Sequence, residues 1–523
     1  MKKLLAAFAL FSLFFGAGNL ILPPYLGVQA GADWALVAFG FVISAVLIPI
    51  LGIFAHAKLQ GTIYDFGAPL GKVFSLTYAA LIYGIALALP APRTASVTHE
   101  MAIMPFADSP YWLTSLVYFS LVLLAALNRS KLLDLFGKIT TPGILIVLTA
   151  LIGMAVFAPE VALAPTTMEN PFGSSLLEGY QTFDAIAAVV IGGVLLVSIQ
   201  KMQAKDNASP ANTDQANQST NPYDLQKSTV RFAAVFSAIA LSAIYVGLIY
   251  AGAQSQGNID LESSRSEILQ AMAKLFLGNT APVGLGILVA LACFTTATGI
   301  VTGTADFVAS YFEGPAYAPG TARKVFISVA IAGAILGVLM GQFPVVYIIA
   351  IAVPALVFIY PTTIILMALH VLPASWATPK AFKAAVLVCF VVNTPAFLDS
   401  LGYPALQEAT AFLPLSSQGL AWVLPVLLSV VGVKIFDVFL IKKDSFWVSI
   451  MKAHRNNLYL VFFIIHPVYQ SVLSWNSSTP KPWECPFQLL RFSYAMIRSC
   501  HYGNEQGRYF FLHPFIARMF PKV

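Results

Sequence analysis

The sequence predicts an all-α polytopic membrane protein of about twelve crossings, and three observations predict it. Hydrophobic residues make up 58% of the 523-residue chain and charged residues 10%, with a mean hydropathy of +0.79, well beyond a soluble globular composition. Apolar runs of about 20 residues, each long enough to cross a hydrocarbon core roughly 30 Å thick, recur along the chain. Lysine and arginine fall almost wholly in alternate loops and their flanks.

The spans are expected at about 4–22, 34–55, 73–91, 111–127, 140–158, 180–200, 230–252, 283–305, 325–341, 345–368, 381–398 and 418–440. One set of loops holds Lys2, Lys3, Lys58, Lys72, Arg129, Lys201, Arg231, Arg323, Lys380, Lys434 and their neighbours. The other holds only Arg93, Arg265 and Lys274. Basic loops stay cytoplasmic, which places the N-terminus and the end of the twelfth span inside. A missed span would scramble so lopsided a split. The charged, apolar-dotted stretch 259–277 is expected as an outer amphipathic helix, and the Asn/Gln/Ser/Thr-rich stretch from Lys201 to Ser228 as a flexible cytoplasmic loop.

The first span carries Gly16-Ala17-Gly18-Asn19 in its middle and meets Pro23-Pro24 at its end. Hydrocarbon cannot satisfy backbone groups freed by such a break, so it survives only where it lines a site. That break, the double proline and the lack of a small-residue cleavage site favour a retained span over a signal peptide. The sixth span, within GYQTFDAIAAVVIGGVLLVSI, carries Asp184, and a carboxylate at that depth should face a cavity, an ion or a partner. Five crossings separate the two interruptions. An odd repeat length turns the second copy upside down, an inverted repeat with its site between the copies.

Much is excluded. The four cysteines form no CxxC pair, so neither a disulfide framework nor a zinc site is indicated. The net charge of +6 is no nucleic-acid signal, because the stretch from Asp444 onward, with eight basic residues against three acids, supplies most of it. A membrane-embedded enzyme would need a nucleophile–base pair or metal ligands at depth, and no His-x-x-x-His, Gly-x-Ser-x-Gly or acid cluster occurs. A carrier, a channel and a membrane sensor all remain compatible with these helices. Protein partners are left open; the lipid bilayer is the one partner that composition demands.

Five stretches then carry a resemblance: FFGAGNLILPP from Phe14, APRTASVTHEMAIMPF from Ala91, GYQTFDAIAAVV from Gly179, CFTTATGIVTGTADF from Cys293 and IYPTTIILMAL from Ile359. Together they resemble the bacterial branched-chain amino acid:cation symporters of the BrnQ type, in motif order, over residues 1 to about 440. The resemblance implies a LeuT-like five-plus-five inverted repeat (about 1–160 and 172–370) with two extra helices at 380–441. It implies a multi-pass protein of the bacterial cytoplasmic membrane importing leucine, isoleucine and valine with sodium and no further cofactor. A proton-coupled carrier, or one of other amino acid specificity, is the alternative.

On this reading Gly16, Ala17, Gly18 and Asn19 receive the substrate: amides starting the second half-helix face its carboxylate, and bulk at Gly18 would fill its space. A small-residue packing face is the other reading of the same glycines. Asp184 faces the ammonium or a cation, or caps a helix beginning at Ala185, and both can hold because a cap there leaves the carboxylate beside the break. Phe183, Ala185 and Ile186 complete the second break, Phe183 and Ile186 as apolar walls or as side chains facing lipid. The resemblance places sodium among the carbonyls of Ser12, Phe15 and Ala292 and the hydroxyls of Thr295 and Thr296, oxygens suited to a hard cation. Threonine hydroxyls that bond their own helix backbone are the alternative there. Arg93 is expected near the outer headgroups, as a vestibule cap, paired with an acid there, or as a snorkelling side chain, and His56, His99 and His370 as solvated residues at span ends. Residues 442–523, with four of the seven histidines and three tryptophans, depart from the family pattern; such a basic, aromatic tail either lies on anionic lipid or, as expected here, adds nothing to transport.

Overall fold

The computed structural model describes residues 2–128, 131–159, 162–190, 192, 222–314, 317–403 and 408–437. The chain divides into two compact units, Met1–Asp437 and Val438–Val523. The second unit contains the 442–523 tail and lies outside the described residues.

Among the described residues there is no strand, and a helix or a broken pair of helices stands at each of the twelve expected positions. Seven uninterrupted stretches are long and apolar enough to cross a membrane, and Tyr111–Leu127 and Pro142–Val156 are shorter apolar helices. The first span runs Lys2–Phe14 and then Ala17–Ala30; the sixth runs Pro171–Tyr180 and resumes at Asp184.

Three boundaries differ from expectation, each for a reason of backbone chemistry. Pro23 and Pro24 do not end the first span but sit inside its second half-helix. Lacking amides, they leave the carbonyls of Asn19 and Leu20 without their helical donors, a loss tolerated only inside protein. The sixth span starts nine residues before the expected 180, so its interruption falls mid-span. The third span does not stop at 91: it covers Lys72–Ile103, kinked where Leu89 takes φ −122° and Pro90 opens a fresh segment. Proline at a first helical position has no amide bond to lose, so the ladder resumes and Arg93 donates to the Leu89 carbonyl at 3.2 Å. The stretch 259–277 does hold a helix, Arg265–Leu277, opened by a Ser264–Glu267 capping box. The helix Pro222–Gln254 takes in the end of the expected 201–228 loop, whose earlier part lies outside the described residues.

Packing follows the exchange expected of two five-span copies. The first span packs on the seventh as the sixth packs on the second. The third packs on the ninth as the eighth on the fourth, and the second on the tenth as the seventh on the fifth. The pairs third–eighth and fourth–ninth map onto themselves. Small residues set the tightest crossings: a Cβ at Gly27 would meet the Ile249 carbonyl, and one at Gly252 the Pro24 carbonyl. A π turn at Ile43–Leu47 in the second span brings Ser44 against Gly179 of the sixth, where a Cβ would overlap the hydroxyl.

Candidate functional site

The two interruptions meet. At the first, the Gly16 amide reaches only two residues back, to the Phe14 carbonyl at 3.1 Å, so the ladder no longer draws on the Ser12 carbonyl. Gly16 is extended (φ −103°, ψ −172°), and the second half-helix starts at Ala17 with no side chain capping its amides. At the second, tight turns carry the chain from Glu178 to Phe183, which adopts φ +62°. A phenylalanine there is strained by about 1–3 kcal/mol and is held by its surroundings. Its carbonyl accepts from Ala187 at 2.9 Å to start the next half-helix, while the Ala185 amide donates to the Tyr360 hydroxyl at 3.1 Å.

Asn19 joins the breaks. Its Nδ2 donates to Asp184 Oδ2 at 2.5 Å and also reaches the Tyr245 hydroxyl of the seventh span. Asn19 and Asp184 are 0% and 4% exposed. The capping alternative for Asp184 does not hold: the helix includes Asp184 itself, and the carboxylate spends its bond on Asn19 rather than on a following amide. Gly18 lies against both elements, since a Cβ there would stand 2.5 Å from Arg93 Nη2 and 3.2 Å from the Gln181 carbonyl. Phe183, Ala185 and Ile186 are all buried in the cluster around the second break.

Arg93 is the main correction. It is 2% exposed rather than at the headgroups, with Nη1 donating to the Gln181 carbonyl at 2.6 Å and the guanidinium 5.1 Å from the Phe183 ring centre. The histidines are corrected too. His56 and His99 are buried, the first bonded through Nε2 to the Val189 carbonyl and the second tilted against the Tyr111 ring with centroids 4.0 Å apart, and half-buried His370 bonds the Leu366 carbonyl. Tyr245 and Tyr360 escaped sequence reasoning altogether, because a tyrosine in an apolar span carries no signal of which polar group its hydroxyl will meet.

On the eighth span, Ala292 O accepts from Thr295 Oγ1 at 2.8 Å and Thr296 Oγ1 at 3.1 Å, so three oxygens converge. These are the own-helix bonds of the alternative reading, and they also leave the hydroxyl oxygens free to accept. A Cβ on Gly16 would lie 3.9 Å from both Thr296 Oγ1 and Asn19 Oδ1, which brings this cluster against the first break. Phe15 is buried, stacked on Phe11 at 5.1 Å, and its carbonyl belongs to the interrupted turn. Of Ser12 and Ala17 the structure describes the backbone alone, Ser12 near the end of the first half-helix and Ala17 opening the second. Among the described residues no group of three His, Cys, Asp or Glu side chains could hold a metal. The oxygens gathered here are of the hard, weakly charged kind that suits a monovalent cation.

Interrupted spans meeting around buried polar groups, within a wall of apolar helices, define a multi-pass membrane transport protein. A family profile described as "Branched-chain amino acid transport protein" matches residues 1–440, and the chain belongs to that family. It is 31% identical over 442 residues to the branched-chain amino acid transport system 2 carrier protein of Pseudomonas aeruginosa, covering 82% of this chain and 94% of that one. It is likewise 31% identical over 445 residues to the branched-chain amino acid permease BrnQ of Escherichia coli K12, with coverage of 82% and 94%. The permease BraB of Bacillus subtilis is 29% identical over 442 residues, covering 81% and 92%. These relatives are carriers and permeases, so the chain is a transport protein and not an enzyme. Among solved structures, the inward-facing conformation of Mhp1 aligns over 83% of this chain and 90% of its own at 14% identity and a TM-score of 0.48, too distant to carry residue roles.

Proposed function

We propose that the chain imports leucine, isoleucine and valine across the bacterial cytoplasmic membrane, coupled to sodium, with its N-terminus inside. The observation that carries the reading is the Asn19–Asp184 hydrogen bond, which makes the two breaks one buried site. Asp184 receives the substrate ammonium, while the amides opening the Ala17–Ala30 half-helix face the carboxylate with the helix dipole behind them. The apolar cluster of Phe183, Ile186 and their neighbours suits an aliphatic side chain.

Sodium, as co-transported cargo, is held by the carbonyls of Ser12, Phe15 and Ala292 with the hydroxyls of Thr295 and Thr296. The convergence of the eighth-span oxygens beside Gly16 supports that placement. An ion there ties the first and eighth spans together and stabilises the state that accepts substrate, and the loaded carrier then rocks to release both. A proton is the second reading for the coupling ion, favoured by one observation: a buried carboxylate, Asp184, lies at the centre of the site.

Labelled leucine uptake into proteoliposomes, under separately imposed sodium and pH gradients, tests the proposal. Accumulation driven by the sodium gradient alone is expected. Accumulation that follows only the pH gradient transfers coupling to the proton, and absence of leucine counterflow from preloaded vesicles would exclude a carrier.

A further inference from the structure

Arg93 is a buried charge with more hydrogen-bonding capacity than its surroundings use. A guanidinium has five N–H donors. Here Nη1 serves the Gln181 carbonyl, the plane faces Phe183, and Nε has no partner among the described residues. Leaving a buried cation so thinly satisfied is costly unless an acceptor arrives. Asp184 interacts with it electrostatically, but the described hydrogen bond of that carboxylate runs to Asn19, not to Arg93.

The free edge of Arg93 points at the substrate site. Its Nη2 lies 2.5 Å from where a Cβ on Gly18 would stand, in the first turn of the Ala17–Ala30 half-helix, whose amides no side chain caps. Three more buried polar atoms at the two breaks lack partners among the described residues: Asn19 Oδ1, the Tyr180 hydroxyl and Gln181 Oε1. One arginine and one aspartate, both buried and not bonded to each other, flank a single site.

We propose that Arg93 is the anchor for the substrate carboxylate, so that Arg93 and Asp184 form a pair of opposite charges matched to a zwitterion. A planar fork accepts a carboxylate in two parallel bonds, which the half-helix amides alone would not provide. The pair makes the site selective for α-amino acids over amines or acids carrying the same aliphatic chain. An amine leaves the guanidinium buried and unpaired, and an acid leaves the carboxylate so. This inference rests on the transport reading above and assigns a specificity-determining residue within it.

The test compares ligand-induced thermal stabilisation of the full-length protein in detergent and sodium, using leucine, 3-methylbutylamine and 4-methylpentanoate. The amine lacks the carboxylate of leucine and the acid lacks its ammonium. Wild-type protein binds leucine far better than either; failure of leucine to stabilise it would sink the transport reading itself. In Arg93→Gln, the ratio of leucine to 3-methylbutylamine affinity is expected to fall about 30-fold or more, as truncating one partner of a buried charge pair does. Arg93→Lys keeps the charge but not the fork and is expected to lower that ratio about tenfold; it also serves if the Gln variant does not fold. In Asp184→Asn it is the advantage of leucine over 4-methylpentanoate that collapses. A folded Arg93 variant that weakens leucine and the amine equally, or preserves the wild-type ratio, overturns the proposal and leaves Arg93 as a clamp on the Gln181 turn.

Discussion

Asp184 and Asn19 announce themselves in the sequence because polar side chains are rare in apolar runs, and the structure brings them within one hydrogen bond. Arg93 is visible too, but counting about twenty residues up from Lys72 puts it near the headgroups, whereas the span runs on to Ile103. Proline at a first helical position restarts the helix and carries the guanidinium inward. Phe183 at φ +62° was not legible, because sequence patterns mark left-handed positions by glycine or asparagine, not by an aromatic ring that its neighbours hold in place. Asp184→Asn keeps the shape and removes the charge that faces the ammonium. Initial leucine uptake at equal protein is therefore expected to fall by about tenfold or more; wild-type uptake would remove Asp184 from the site. Thr295→Ala or Thr296→Ala deletes one oxygen from the cation cluster and should raise the sodium needed for half-maximal uptake about three- to tenfold. A titration of uptake against sodium reads this directly, and an unmoved midpoint would place the ion elsewhere.

Among the elements, the first span gave most and misled most. Its Gly-Ala-Gly-Asn break is real, but the double proline that seemed to close the span lies within a half-helix reaching Ala30. Sequence rules count proline as a terminator because it has no amide to donate and its ring crowds the carbonyl four residues back, yet here the helix runs on past both. The close approach of Gly27 and Gly252 was likewise hidden, since only the fold says which glycines face each other. Gly252→Leu would drive a side chain into the Pro24 backbone, which cannot yield. That substitution is expected to cost at least about 2–3 kcal/mol through overpacking and to lower the unfolding temperature of the purified protein. Gly284→Ala, where a Cβ meets nothing within 4 Å, is the control and should leave it unchanged.

For the whole molecule, parity alone foretold the architecture: interruptions in spans one and six require an inverted second copy, and the exchange of packing partners bears this out. What parity could not foretell is how the connecting helix Arg265–Leu277 joins the two broken spans. Arg265 binds Glu178 Oε1 through Nε at 2.9 Å and Nη2 at 2.7 Å, and lies 4.2 Å from the ring centre of Tyr25. One residue on, Ser266 donates to Glu100 at 2.5 Å, fastening the same helix to the third span. Arg265→Gln is expected to speed hydrogen exchange of the amides at 181–183 about two- to fivefold, as loss of a partly exposed ion pair allows. Unchanged exchange would mean that the strap bears no load. Removal of residues after 444 is expected to leave leucine uptake unaltered at equal expression, and a large loss would give the tail a function.

The guanidinium within the third span also bears on how the protein is made. A lone arginine costs about 2.5–3.5 kcal/mol on insertion scales when its helix enters the bilayer. Its acceptor at Gln181 is 88 residues further along the chain. At ordinary synthesis rates of 5–20 residues per second, roughly 4 to 18 s pass before that carbonyl leaves the ribosome. For that interval the nascent third span must shelter its charge in the translocon or against water, and the sixth span, on arrival, completes the membrane entry of a helix made long before it.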